Sequence, residues 1–192
     1  MRWLIVALLL VPLGFLVKSW LTFPSDHTPE GAYLRVVRAV NETQPATFFA
    51  YTEEAAQHAC YSMRDYRKQS LELVQSHFPE QRRRELEEKY GPIARSKDGA
   101  DVFALLAEDF GWLDQLRRDM SGILRVDISG PRATVQTVKG TRYAFRRRPN
   151  GIWGMTAFTP TLVEEAERAA RDFKQLQKAA LDYRRAEQSG HK

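Results

Sequence analysis

At Gly122 the spacing of apolar residues changes from about 3.6 to 2, and this change constrains the fold more than any other feature of the chain. Leu124, Val126 and Ile128 alternate with Arg125, Asp127 and Ser129. Ala133 and Val135 follow, Tyr143 and Phe145 alternate with Arg142 and Arg146, and Trp153 and Met155 close the series. Neighbouring side chains of a strand point to opposite faces, so each run predicts a strand with one apolar and one wet face. Gly130-Pro131, Lys139-Gly140 and Pro149-Asn150-Gly151 separate the runs. They are hairpin signals, because proline presets φ and Asn or Gly accepts the positive φ that follows. The pattern predicts a four-stranded antiparallel meander. Its interior face is Leu124, Val126, Ile128, Val135, Tyr143, Phe145, Trp153 and Met155, with Arg142 and Arg146 turned to water. Arg146 to Arg148 sit beside the last turn, where arginines ordinarily solubilise an edge and discourage association, and where an anion site is the alternative.

Before Gly122 the period is helical. Thr28 followed by Pro29 is a capped helix start, and Tyr33, Val36, Val37 and Val40 form one apolar stripe ending near Asn41. Pro45 opens a stretch read as one helix to about Phe78, stopped by Pro79. In EQRRRELEEKY the basic run pairs Arg83 with Glu87 and Arg84 with Glu88 at i+4, which predicts a solvated, salt-bridged face. Gly91-Pro92 and Ser96 to Gly99 are breaks, and Val102 to Leu116 read as a further helix, irregular at Gly111. After Thr159-Pro160 comes a long helix in which Leu162, Ala166, Ala169, Phe173, Leu176, Ala180 and Tyr183 recur at heptad spacing. This alanine-rich seam either lies along the chain's own helices or joins a protein partner or second subunit.

The first residues are different in kind. Arg2 precedes an unbroken apolar run from Trp3 to Val17, followed by Lys18, Ser19, Trp20, Leu21 and Phe23. The run spans about 22 Å as a helix and reaches the roughly 30 Å of a hydrocarbon core only if extended to Phe23. An uncleaved anchor in the inner membrane is the leading expectation, with a cleaved signal peptide as the alternative. Either places the remainder outside the cytoplasm, on the periplasmic side. The organisation expected is a signal anchor or signal peptide over residues 1–23, an α+β cone-like domain over 28–158, a C-terminal helix over 159–187 and a disordered tail over 188–192.

The single cysteine, Cys60, cannot form an internal disulfide and lies among small apolar residues. The net charge of +5 is spread along helices of alternating sign, which argues against nucleic acid as a partner. His27, His58, His77 and His191 lack ligand spacing, so no metal is expected, and no phosphate loop or dinucleotide fingerprint calls for a cofactor. The catalytic candidate is His58, Tyr61 and Asp65, which share a helix face at i, i+3 and i+7 and would perform proton transfer if that face turned inward.

Helices followed by VDISGPRATVQTVKGTRYAFRRRPNGIWGM, with the opening TPEGAYLRVVRAV, make an α+β arrangement that resembles the nuclear transport factor 2-like superfamily. It is also similar to exported proteins of Gram-negative bacteria. The resemblance implies N-terminal helices packed on a strongly curved sheet to form a cone. Members include isomerases and dehydratases with an acid and a base in the cone, and non-catalytic dimerising or ligand-binding domains. The chain departs from the superfamily in its long helical block before any strand and its long helix after the sheet. The apolar interior face speaks against an enzyme. The expected function is a membrane-anchored, non-catalytic interaction or assembly module. The alternatives are an apolar ligand held by Val126, Ile128, Val135, Tyr143, Phe145, Trp153 and Met155, or a small-molecule isomerase or dehydratase of the same fold.

Overall fold

The computed structural model describes residues 23–190. The expected membrane or signal helix lies almost wholly before them. Among the described residues no helix is long and apolar enough to cross a membrane.

Helix α1 (Pro29–Asn41) begins where its sequence says it should: the Thr28 hydroxyl accepts the Gly31 N–H at 3.2 Å, and Pro29 takes the first position, where no donor is needed. Tyr33, Val36 and Val40 are buried on its inner stripe. At its far end the Arg117 guanidinium donates to the Val40 carbonyl at 2.9 Å and to the Thr43 hydroxyl at 3.0 Å. Those bonds satisfy groups that a helix terminus leaves open.

Four strands, β1 (Ile123–Ser129), β2 (Arg132–Thr137), β3 (Arg142–Arg147) and β4 (Trp153–Met155), form an antiparallel sheet in chain order. Helix α1 packs on it, touching β1, β2 and β4. The first turn is of the II′ kind: Gly130 has φ 58°, a conformation that suits glycine, and Pro131 fixes the next φ.

The stretch from Pro45 to Phe78 is two helices, not the single one expected: α2 (Pro45–Phe49) and α3 (Glu54–His77). The intervening residues run beside β4. Thr52 bridges Met155 in parallel, the Met155 N–H donates to the Tyr51 carbonyl at 2.7 Å, and the Glu53 N–H donates to the Met155 carbonyl at 3.1 Å. Strand pairing here overrides helix continuity. Gly154 permits the crossing, since a Cβ there would collide with the Thr52 carbonyl oxygen. This edge of the sheet is therefore covered. No described residue pairs with the outer edge of β1.

Two members of the predicted interior face are misplaced. Leu124 is 63% and Ile128 59% exposed, and Val126 is half-buried. A bulge between Ile123 and Arg125 disturbs the alternation at Leu124. Ile128 opposes the buried Ala133, so it faces the helices, yet it stands on the open edge beyond their cover. The other predicted interior residues, Val135, Tyr143, Phe145, Trp153 and Met155, are buried.

Helices α4 (Glu80–Ala94), α5 (Gly99–Asp109) and α6 (Trp112–Asp119) complete the block, and α7 (Thr159–Gly190) returns along α3. Helix α4 runs through the expected break at Gly91-Pro92. Its ion pairs also differ from those expected: Arg82 bonds Glu85 at 2.6 Å and Arg84 pairs back to Glu80, while Arg83 joins neither. All these partners sit within one turn on a wet surface, where rotamers select among them at small cost.

An aromatic cluster binds the helices together. The Trp112 ring stacks on Phe158 at 4.3 Å, and Phe48 meets Phe103 edge-on at 5.3 Å. The seam of α7 is used within the chain. Leu162, Ala166, Ala169, Leu176 and Ala180 are buried, Phe173 lies 5.9 Å from Tyr66, and Tyr183 lies 5.0 Å from Phe78. Its first half belongs to the main core. Its second half, with Val74, Phe78, Leu86 and Tyr90, forms a smaller core under α4. The C-terminal helix is thus integral to the fold, and it extends to Gly190 into the segment expected to be disordered.

Candidate functional site

Strand register determines which side chains share the sheet's uncovered face. Arg125 lies in a row with Gln136 and Arg142, Asp127 with Thr134 and Ala144, and Ser129 with Arg132, Arg146 and Gly154. No described helix covers this face, and Arg125, Arg132, Arg142 and Arg146 are all exposed on it. As the alternation predicted, Arg142 and Arg146 face water, but they belong to an interior strand rather than an edge.

Two of the four arginines are matched. Arg125 Nε donates to Asp127 Oδ1 at 2.7 Å, and Arg146 Nε lies 3.5 Å from the buried Glu53 carboxylate. Among the described residues Arg132 and Arg142 have no acidic group within 4.0 Å. Arg132 also stands directly opposite Arg146. Like charges so placed are destabilising. Planar guanidinium groups on neighbouring strands present forked donors suited to carboxylates.

The arginine run at the last turn divides by role. Arg146 faces out with the sheet, and Arg147 is exposed. Arg148 is half-buried, with Nη1 donating to the Thr52 carbonyl at 3.4 Å and a buried Nε that has no partner. Burial draws its pKa below the ordinary arginine value. It braces the chain crossing at Thr52. Beside it the Trp153 N–H donates to the Asp26 carbonyl at 3.2 Å and the Trp153 indole N–H to the His27 carbonyl at 3.1 Å. Asp26 lies 3.6 Å from Arg35 and accepts from the Tyr51 hydroxyl at 3.4 Å. The two Trp153 bonds strap Asp26 and His27 to β4.

The predicted catalytic set is not assembled. The His58 side chain is 75% exposed and reaches Glu54 at 3.6 Å, Tyr61 is exposed, and Asp65 pairs outward with Arg64 at 2.9 Å. The stripe that faces inward on α3 is Ala56, Ala59, Cys60, Met63 and Arg67, leaving the His58 side to solvent. Inverting that helix would bury charge to no gain. The predicted ligand pocket is filled: Tyr33 of α1 lies 5.6 Å from the Tyr143 ring, and Val135, Phe145, Trp153 and Met155 share one packed core with it. A surface groove lies elsewhere, along Thr43, Pro45, Leu105, Glu108 and Leu113. Cys60 is wholly buried, and desolvation pushes its thiol pKa up to about 12, which removes its nucleophilicity. Among the described residues no three His, Cys, Asp or Glu side chains converge as metal ligands would.

Compared with known proteins, the chain matches no family model, no curated protein and no solved structure.

One polar centre was not legible in the sequence. Arg67, buried on α3, donates to Asp172 of α7 at 2.6 Å and stacks over the Tyr90 ring of α4 at 4.4 Å. It joins three helices and has a structural role. Residues 105 positions apart carry no local pattern that would have linked them.

Proposed function

We propose that the chain is a non-catalytic interaction module, tethered by its N-terminal segment on the outer side of a membrane, that binds an acidic protein surface through the arginine face of its sheet. The observation that carries this reading is the open face with Arg132 and Arg142 unmatched and Arg132 opposed to Arg146. An antiparallel sheet commonly leaves one face to water. A solvated face alone would not call for like charges set opposite one another. Asp127 and Glu53 interrupt the positive field, a mixed pattern that suits a complementary protein surface better than a uniformly anionic bilayer. The tether rests on the apolar run from Trp3 to Val17 behind Arg2. The nuclear transport factor 2-like kinship is proposed on the order of helices and hairpin-linked strands.

The test is the double variant Arg132→Glu/Arg142→Glu. It should fold with an unchanged melting temperature and bind the partner captured from native membranes about tenfold or more weakly, about 1.4 kcal/mol. Binding of the purified partner should also weaken as salt rises. Partner binding unaffected by the double reversal, or equal retention on phosphatidylglycerol vesicles that the reversal abolishes, would overturn the reading.

A further inference from the structure

The sheet has one sealed edge and one open edge, and the open edge has an unusual property. Residues Leu124-Arg125-Val126-Asp127-Ile128 read as their own complement about Val126. In an antiparallel pair centred there, Arg125 of each copy opposes Asp127 of the other, and Ile128 of each comes level with Leu124 of the other, where the bulge begins. We propose that β1 is a self-recognition edge, through which two copies of this chain join into one sheet of twice the width.

Three observations support this occupant. First, the backbone is free in the required places. In a two-residue hairpin the residues flanking the turn form the hydrogen-bonded pair, here Ser129 with Arg132. Ser129 and Asp127 therefore direct their amides and carbonyls at β2, and Val126 and Ile128 direct theirs outward, so a Val126 pair exchanges two main-chain bonds about the two-fold axis. Secondly, Leu124 and Ile128 are the large apolar residues that the edge leaves exposed, at 63% and 59%. β1 carries neither the lysine nor the proline that commonly block such an edge, and its bulge lies at the Leu124 end, clear of Val126 to Ile128. Thirdly, the charges complement one another. Arg125 and Asp127, now bonded within the strand at 2.7 Å, occupy non-hydrogen-bonded positions, the closer of the two cross-strand spacings. The two-fold axis would stand normal to the sheet, so the arginine faces of both copies would point the same way. The strap at β4 lies on the opposite edge, so Asp26 and His27 of each copy would stand at the outer margins. This pairing does not depend on the binding role given to Arg132 and Arg142.

A single strand edge is small beside stable interfaces of about 1,200–2,000 Å², so association should be weak, with dissociation in roughly the micromolar range. Sedimentation velocity of the full chain in a mild detergent over a concentration series tests it. Wild type should shift from monomer to dimer. Ile128→Pro removes one outward N–H and one apolar contact but no bond to β2, and should be monomeric with its fold intact. Arg125→Asp and Asp127→Arg, each alone, place like charges opposite one another and should weaken association at least tenfold. Mixing these two variants should restore it, because each copy then meets its complement across the edge while neither has an ion pair within its own strand. A wild type that stays monomeric throughout, as it would if its own first residues covered the edge, overturns the proposal. So does a dimer indifferent to Ile128→Pro, or a mixture that associates no better than its components.

Discussion

The rings of Tyr33 and Tyr143 lie 5.6 Å apart, and their hydroxyls have opposite surroundings. The Tyr33 hydroxyl donates to the Ser121 carbonyl at 2.7 Å and accepts the Ser121 N–H at 3.2 Å. The Tyr143 hydroxyl is buried without a partner. An unmade buried hydrogen bond costs more than a made one contributes, so the two deletions should have opposite signs. Tyr33→Phe should lower stability by roughly 1–2 kcal/mol, leaving the Ser121 groups unpaired, whereas Tyr143→Phe should be neutral or stabilising by up to about 1 kcal/mol. Urea denaturation of the two variants checks this, and equal losses would refute it. Nothing in the alternation of β3 distinguishes these hydroxyls. Sequence periodicity gives the face of a residue, not the atom that meets it.

At the scale of elements, the alternating strands, their glycine turns and the capped start of α1 were legible because each depends on residues within a few positions. What escaped was decided by partners far along the chain. The helix expected from Pro45 to Phe78 breaks because the backbone at Thr52 is taken up by Met155. Ile128 keeps the expected face yet stays exposed, and Leu124 is thrown out of the alternation, because an uncovered edge and a bulge are properties of the assembled sheet. The α7 seam was legible as a seam, but its partner was not. Its alanines now explain the close approach to α3. Ala169 is fully buried, so Ala169→Leu should overpack the helix pair and cost roughly 1–3 kcal/mol, read as a lower thermal midpoint. An unchanged midpoint would mean the helices part easily.

Taken whole, the molecule holds several weak acids in their neutral forms. Desolvation pushes Cys60 and Tyr143 up to about 12 from 9.0 and 10.0, and raises Tyr33, Tyr51 and Tyr90 as well. The unfolded chain releases these protons first. The native state therefore keeps its full advantage below about pH 9 and loses it progressively as pH climbs towards 12. Urea midpoints measured from pH 8 to 11 should be level at first and then fall, and Tyr143→Phe should flatten the decline above pH 10. A midpoint that rises with pH over that range would reverse the sign. The candidate site was half visible at this scale. The outward arginines follow from alternation alone, but their rows, their unequal pairing and the bare edge beside them required the register of all four strands.

The strap across β4 also has a mechanical consequence. Tension applied at Phe23 passes through Asp26 and His27 into the backbone and indole of Trp153 before it reaches any other strand. Under load those two hydrogen bonds would share the pull with the Asp26 contacts to Arg35 and Tyr51, like stitches at a hem, so that one margin of the sheet is strained before its middle.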